Sequence, residues 1–177
     1  YALAPKVSVQ RIVHQCLSAV NWLADYIHNW NGNNQNIILC GHSVGAFLAT
    51  KILEQREQLS PGFKVSGALL LSGLYDLANL RKSYLNRSLH LTEADVTELN
   101  PNFEKLKSLP NTLIGVGENE TNEFVSQSRL FSEQLNKFNG NVHFKPLANK
   151  NHYTVVRMLG KHSVPLIKQM LNKPESG

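Results

Sequence analysis

Residues 36–50 read NIILCGHSVGAFLAT, and how they are read governs the rest of the chain. Asn36 to Cys40 is a short apolar run rich in β-branched residues and preceded by turn residues, the pattern of a strand covered on both faces. From Val44 the apolar spacing becomes helical. Between the two, Gly41, Ser43 and Gly45 form Gly-x-Ser-x-Gly, a weak signal alone because turns favour both residue types. A strand that turns straight into a helix, however, must hold Ser43 in strained backbone, and glycines at 41 and 45 would let strand and helix approach closely. Such a turn lifts the Ser43 hydroxyl clear of the sheet. It also aims the Val44 amide, at the helix N-terminus, at whatever the serine attacks, where an oxyanion would be stabilised. The structural alternative is a plain turn with Ser43 as helix N-cap.

Working outward, apolar residues recur at helical spacing from Val7 to Trp30, and NGNNQ then breaks that helix. The helix that opens at Val44 is expected to run to Gln58. KVSGALLLSG (residues 64–73) follows as a second buried strand. Residues 74–108 are mixed and polar, an insertion over the active-site end carrying short helical pieces at best. Regular alternation then resumes: a strand in NTLIGVGE, a helix over Asn122–Phe138, a strand in NVHFKPL, and a closing helix over Val164–Leu171. Strands and helices alternating in this way argue for an α/β fold with a mainly parallel sheet. With no repeat or linker, residues 1–177 read as one domain.

Composition narrows the class. The 177 residues are 42% hydrophobic, enough for one core, and the formal charge of +5 is scattered along the chain with no basic arm or stripe for nucleic acid. No apolar run approaches a membrane span or a signal peptide. The two cysteines, Cys16 and Cys40, sit in apolar patterns, which suggests a reducing, cytoplasmic setting and not a disulfide framework. The chain opens on Tyr1 and YALAPKVS instead of methionine, so a fragment or processed piece is expected.

A serine hydroxyl needs an imidazole to take its proton. Of the seven histidines, His42 adjoins the serine and is expected to point away from it. His14 and His28 lie on the preceding helix, His143 is in a strand, His90 in the insertion, and His162 beyond the last strand loop. His152, in the polar loop LANKNHYTV directly after the last strand, stands on the side where Ser43 emerges. The third member must orient that imidazole. Glu118, Glu120 and Glu123 in GENETNEF are candidates, with Asp76 in GLYDL as a rival, and periodicity does not choose among them.

YALAP, GHSVGA, SGLYDL, NPNF, GENETNEFVSQS and NKNHY together give a chain that resembles the kynurenine formamidase (arylformamidase) branch of the α/β-hydrolases, from Tyr1 to about Val155. The resemblance implies the three-layer α/β-hydrolase sandwich, with the family's first strands and its HGG-type oxyanion loop lying before Tyr1. It also puts the acid at Glu120, where the family usually has aspartate. The implied reaction is hydrolysis of N-formyl-L-kynurenine to kynurenine and formate. Ser43 is then the nucleophile, His152 the base, Glu120 the orienting acid and Val44 an oxyanion amide, while Tyr153 is a candidate to line a pocket for the aromatic leaving group, with a packing role as the alternative. No metal or organic cofactor is implied. The expected partner is a small aryl formamide or ester, with neither nucleic acid nor membrane, and a homodimer is the assembly to look for. Without the family's first strands, the isolated 177-residue piece is expected to be inactive and, with a central strand exposed, poorly soluble. A general carboxylesterase and a catalytically impaired binding module are the alternatives.

Overall fold

The computed structural model describes residues 1–160. The helix expected over Val164–Leu171, and His162, lie outside the described residues.

Helix α1 (Val9–Tyr26) starts where the Ser8 side chain accepts a hydrogen bond from the Arg11 amide, the usual N-cap arrangement. It buries Val9, Ile12, Val13 and Ala24. It ends two residues past the last of these and tightens into a 3₁₀ turn, Ile27–Trp30, which Asn31 closes in left-handed backbone. Strand β1 (Ile37–His42) leads through Ser43 into α2 (Val44–Glu54).

Helix α2 stops before the expected Gln58. Arg56 folds back, and its guanidinium donates to the carbonyls of Leu53, Lys105 and Lys107. That satisfies the helix end and ties it to the segment that precedes the third strand, leaving residues Arg56–Gln58 as a 3₁₀ turn. Strand β2 (Val65–Leu71) is buried along nearly all its length. Between β2 and β3 lie three short helices, α3 (Leu77–Lys82), α4 (Asn86–Leu89) and α5 (Glu93–Leu99), the last opened by a Thr92–Asp95 capping box. Leu77 and Leu99 of these helices, with Leu91 between α4 and α5, pack on Val9, Ile12 and Val13 of α1 and on Phe47 and Leu48 of α2. Then come β3 (Asn111–Gly117), α6 (Asn122–Asn136) and β4 (Val142–Leu147), followed by a 3₁₀ turn, Val155–Leu159.

The four strands form one parallel sheet in the order β1-β2-β3-β4. A cross-sheet row of Leu39, Ala68, Thr112 and Val142 shows the register. One face carries Leu39, Ala68, Leu70, Ile114 and Val142 against Ala24, Ala46, Ala49 and Leu53 of α1 and α2 and against Phe131 and Leu135 of α6. The other face gathers Leu69, Leu71, Leu113 and Leu147 around Val155.

β1 was expected to be covered on both faces, but Cys40 is exposed and Ile37, Ile38 and His42 are half-buried. The cause is position: β1 ends the sheet, with no neighbour among the described residues on its outer side. Among the described residues no helix is long and apolar enough to cross a membrane.

Because all strands run the same way, their carboxyl ends share one edge. From that edge the chain leaves β1 at Ser43, β2 at Ser72, β3 toward Glu120 and β4 toward His152.

Candidate active site

Ser43 sits at the apex of the turn with φ 56° and ψ −123°, backbone that an L-residue adopts only under constraint. Gly41 makes this possible. A Cβ there would lie 2.2 Å from the Gly45 carbonyl oxygen, so the strand end and the first helical turn are in backbone contact. Gly45, also expected to make room, has no such duty among the described residues, where a Cβ added to it would meet nothing within 4 Å. The Ser43 amide donates to the Leu71 carbonyl and pins the turn to β2. Ser43 makes no side-chain cap on α2, which leaves its hydroxyl for other partners. Val44, half-exposed, opens the helix, where its amide has no intrahelical acceptor.

That hydroxyl lies 3.0 Å from Nε2 of His152, and Nδ1 of the same ring lies 2.7 Å from Oε2 of Glu120. The carboxylate at Nδ1 favours the tautomer with its proton there. Nδ1–H then donates to Glu120, and Nε2 is left to accept from Ser43. The Glu120 side chain is fully buried and that of His152 is a quarter exposed, so the ring has one dry side and one side open to a ligand.

The loop that carries His152 is built by Asn151. Its side-chain oxygen accepts from the amides of Tyr153 and Thr154, and its own amide donates to Thr154 Oγ1. The His152 ring is flanked by Phe124 at 4.4 Å and His42 at 4.7 Å between ring centres. His42 therefore does not point away from the site as expected: its ring rests on His152. Burial, and secondarily the neighbouring His152, hold its pKa below the ordinary 6.5.

The other candidates are placed elsewhere. Asp76 Oδ1 accepts from the Ala78 amide and caps α3. Glu123 accepts from Gln127 Nε2 and Asn79 Nδ2, and these bonds, that of Gln127 first, hold its pKa down. Glu118 lies exposed on the turn after β3. Tyr153 is 85% exposed, edge-on to His152 at 5.9 Å.

Two residues around the acid escaped the sequence reading. Ser72, fully buried, donates from its hydroxyl to Glu120 Oε1 at 2.5 Å, and the Gly117 amide donates to the same oxygen at 2.8 Å. Gly117 also touches the histidine loop, since a Cβ there would lie 2.3 Å from the Lys150 carbonyl oxygen.

This arrangement, a serine relayed through an imidazole to a buried carboxylate beside a helix N-terminus, can carry acyl transfer. The family described as alpha/beta hydrolase fold matches residues 1–156. The chain is 29% identical to a kynurenine formamidase of Danio rerio over 97% of its own length and 59% of that protein's. With one from Salmo salar the identity is 30%, over 98% of this chain and 61% of that one. The chain thus spans about three-fifths of the length of these relatives. Among solved structures, a fungal esterase from Rhizomucor miehei superposes with a TM-score of 0.78 at 17% identity, covering 96% of this chain and 61% of that one. A hyperthermophilic esterase from Pyrobaculum calidifontis gives 0.77 at 18%, covering 97% and 64%.

Proposed function

From the membership of this chain in the alpha/beta hydrolase fold family, we propose that it is the catalytic part of a serine hydrolase that cleaves the formamide of N-formyl-L-kynurenine to kynurenine and formate. What carries the reading is the unbroken relay from Ser43 through His152 to Glu120, at 3.0 and 2.7 Å, in a chain similar along nearly its whole length to kynurenine formamidases.

Ser43 Oγ attacks the formyl carbon while His152 Nε2 takes its proton, and Glu120 stabilises the resulting imidazolium. The carbonyl oxygen becomes an oxyanion facing the Val44 amide and the N-terminus of α2. His152 returns the proton to the anilide nitrogen, kynurenine leaves, and water hydrolyses the formyl ester on Ser43 by the same relay. Tyr153, beside the open side of His152, borders the leaving-group site. Cys16 and Cys40 stand as free thiols, which suits a cytoplasmic reaction.

The test is to assay the intact protein on N-formylkynurenine beside p-nitrophenyl acetate, and to locate the residue labelled by a fluorophosphonate. Formamide turnover with label on Ser43 is the expected result. Ester turnover alone would replace the substrate with a general carboxylester. Activity on neither, with no label, would make the fold a binding module.

A further inference from the structure

We infer that Ser72 is a positioning residue of this site: its hydroxyl, with the Gly117 amide, grips one oxygen of the Glu120 carboxylate so that the other faces His152. The inference rests on the reading of Ser43, His152 and Glu120 as a working relay.

Ser72 is the first residue after β2 and is fully buried, following three leucines that pack in the core. A serine at this depth must satisfy its hydroxyl, and it does so on Glu120 Oε1 at 2.5 Å. That length is typical of a hydroxyl bound to an ionised carboxylate. Its backbone is equally committed. Ser72 has φ 49°, a left-handed conformation that glycine would adopt without strain, and its amide donates to the Gly115 carbonyl at 2.7 Å. A position where glycine is the easier residue holds a serine whose hydroxyl is aimed at the acid.

The geometry of the carboxylate explains the need. Oε1 receives Ser72 and the Gly117 amide, while Oε2, among the described residues, receives His152 Nδ1. The turn from Gly117 to Glu120 brings the acid to the sheet edge, but a glutamate has one more free torsion than an aspartate with which to miss the imidazole. A single donor on Oε1 would leave the group free to swing about that bond. Two donors, from the ends of adjacent strands, fix the carboxylate plane. Both also solvate a carboxylate that has no access to water.

The experiment uses Ser72→Ala and Ser72→Gly in the intact protein. Each is measured for steady-state hydrolysis, for the rate of Ser43 labelling by a fluorophosphonate, for melting temperature, and for the low-field proton resonance of the His152 Nδ1–H bond. Loss of one hydrogen bond to a charged group predicts a fall of about 10- to 100-fold in kcat and in labelling rate, with KM nearly unchanged. The Nδ1 resonance should shift or broaden. Ser72→Gly relieves the left-handed backbone, so its melting temperature should fall less than that of Ser72→Ala while the rate falls as far. In a Glu120→Gln background the same change should have no further effect, because the grip has nothing left to orient.

Wild-type kcat and labelling rate in Ser72→Gly, or losses that simply multiply with Glu120→Gln, would overturn the role. If the wild-type protein labels at Ser43 but leaves the formamide intact, the substrate is wrong and the labelling rates alone decide about Ser72. If Ser43 never labels and no substrate turns over, the relay itself fails and Ser72 loses its role with it.

Discussion

Glu120 and Asp76 leave adjacent strands at the same end of the sheet, yet their carboxylates meet different groups. Asp76 is spent on the Ala78 amide as the cap of α3, and Glu120 on His152. Replacing Glu120 by glutamine should lower turnover by about 10⁴ with a small change in melting temperature. Asp76→Ala should keep turnover and lower stability by about 1 kcal/mol. Kinetics and calorimetry on the two variants check this, and the reverse pattern would make Asp76 the acid.

His42 supplies a pH signature. Its folded pKa is depressed by burial, so below the ordinary 6.5 the unfolded chain takes up the proton more readily than the folded one. Stability from this neutral ring is present above that value and is lost as pH falls toward the lower folded value. His42→Gln should therefore lose less melting temperature between pH 7 and pH 5 than wild type does, and an equal loss would show the ring to be indifferent.

At the scale of elements, the site is a set of loops locked to each other at the strand ends. One lock is Gly117 against Lys150, reinforced by the Asn119 amide donating to the Lys150 carbonyl at 2.9 Å. Gly117→Ala must push the acid turn away from the histidine loop. We expect about 1–3 kcal/mol of destabilisation and a loss of turnover larger than the melting shift explains. Gly45→Ala, on a helix with open space at the added carbon, should instead hold or raise stability by about 0.5–1 kcal/mol. Thermal melts of the pair decide between them.

These locks also explain what the sequence left unread. The strands and the helix after Ser43 were legible because β-branched runs and helical spacing are local signals. The acid was not, because three glutamates fall within one short turn and the choice among them is made by Gly117 pressing on a loop thirty residues on. Family likeness, not periodicity, pointed to Glu120. Ser72 looked like the polar end of a leucine run, and its left-handed φ leaves no trace in residue type. Helical spacing overruns the end of α2 by four residues for the same reason, since the arginine that ends it does so through carbonyls about fifty residues away.

Among the described residues, the sheet has two unlike edges. β4 carries exposed Lys145 and Pro146, a charge and a missing donor, which discourage pairing with another strand. β1 offers Ile37, Ile38 and Cys40 with no such guard. This 177-residue chain, expressed as it stands, should associate with rising concentration, and Ile38→Lys should reduce that association. Light scattering on the two proteins checks it, and equal scattering would place the contact elsewhere.

The order β1-β2-β3-β4 is also the order of synthesis. Each strand after β1 finds its neighbour already made, so the sheet can grow by addition at one side. Ser43 emerges early, while His152 follows 109 residues later. At ribosomal speeds of about 5–20 residues per second, the serine waits roughly 5–20 s for this histidine. On the proposed relay, the nascent chain thus carries an unpartnered Ser43 hydroxyl until the loop that bears His152 has been made.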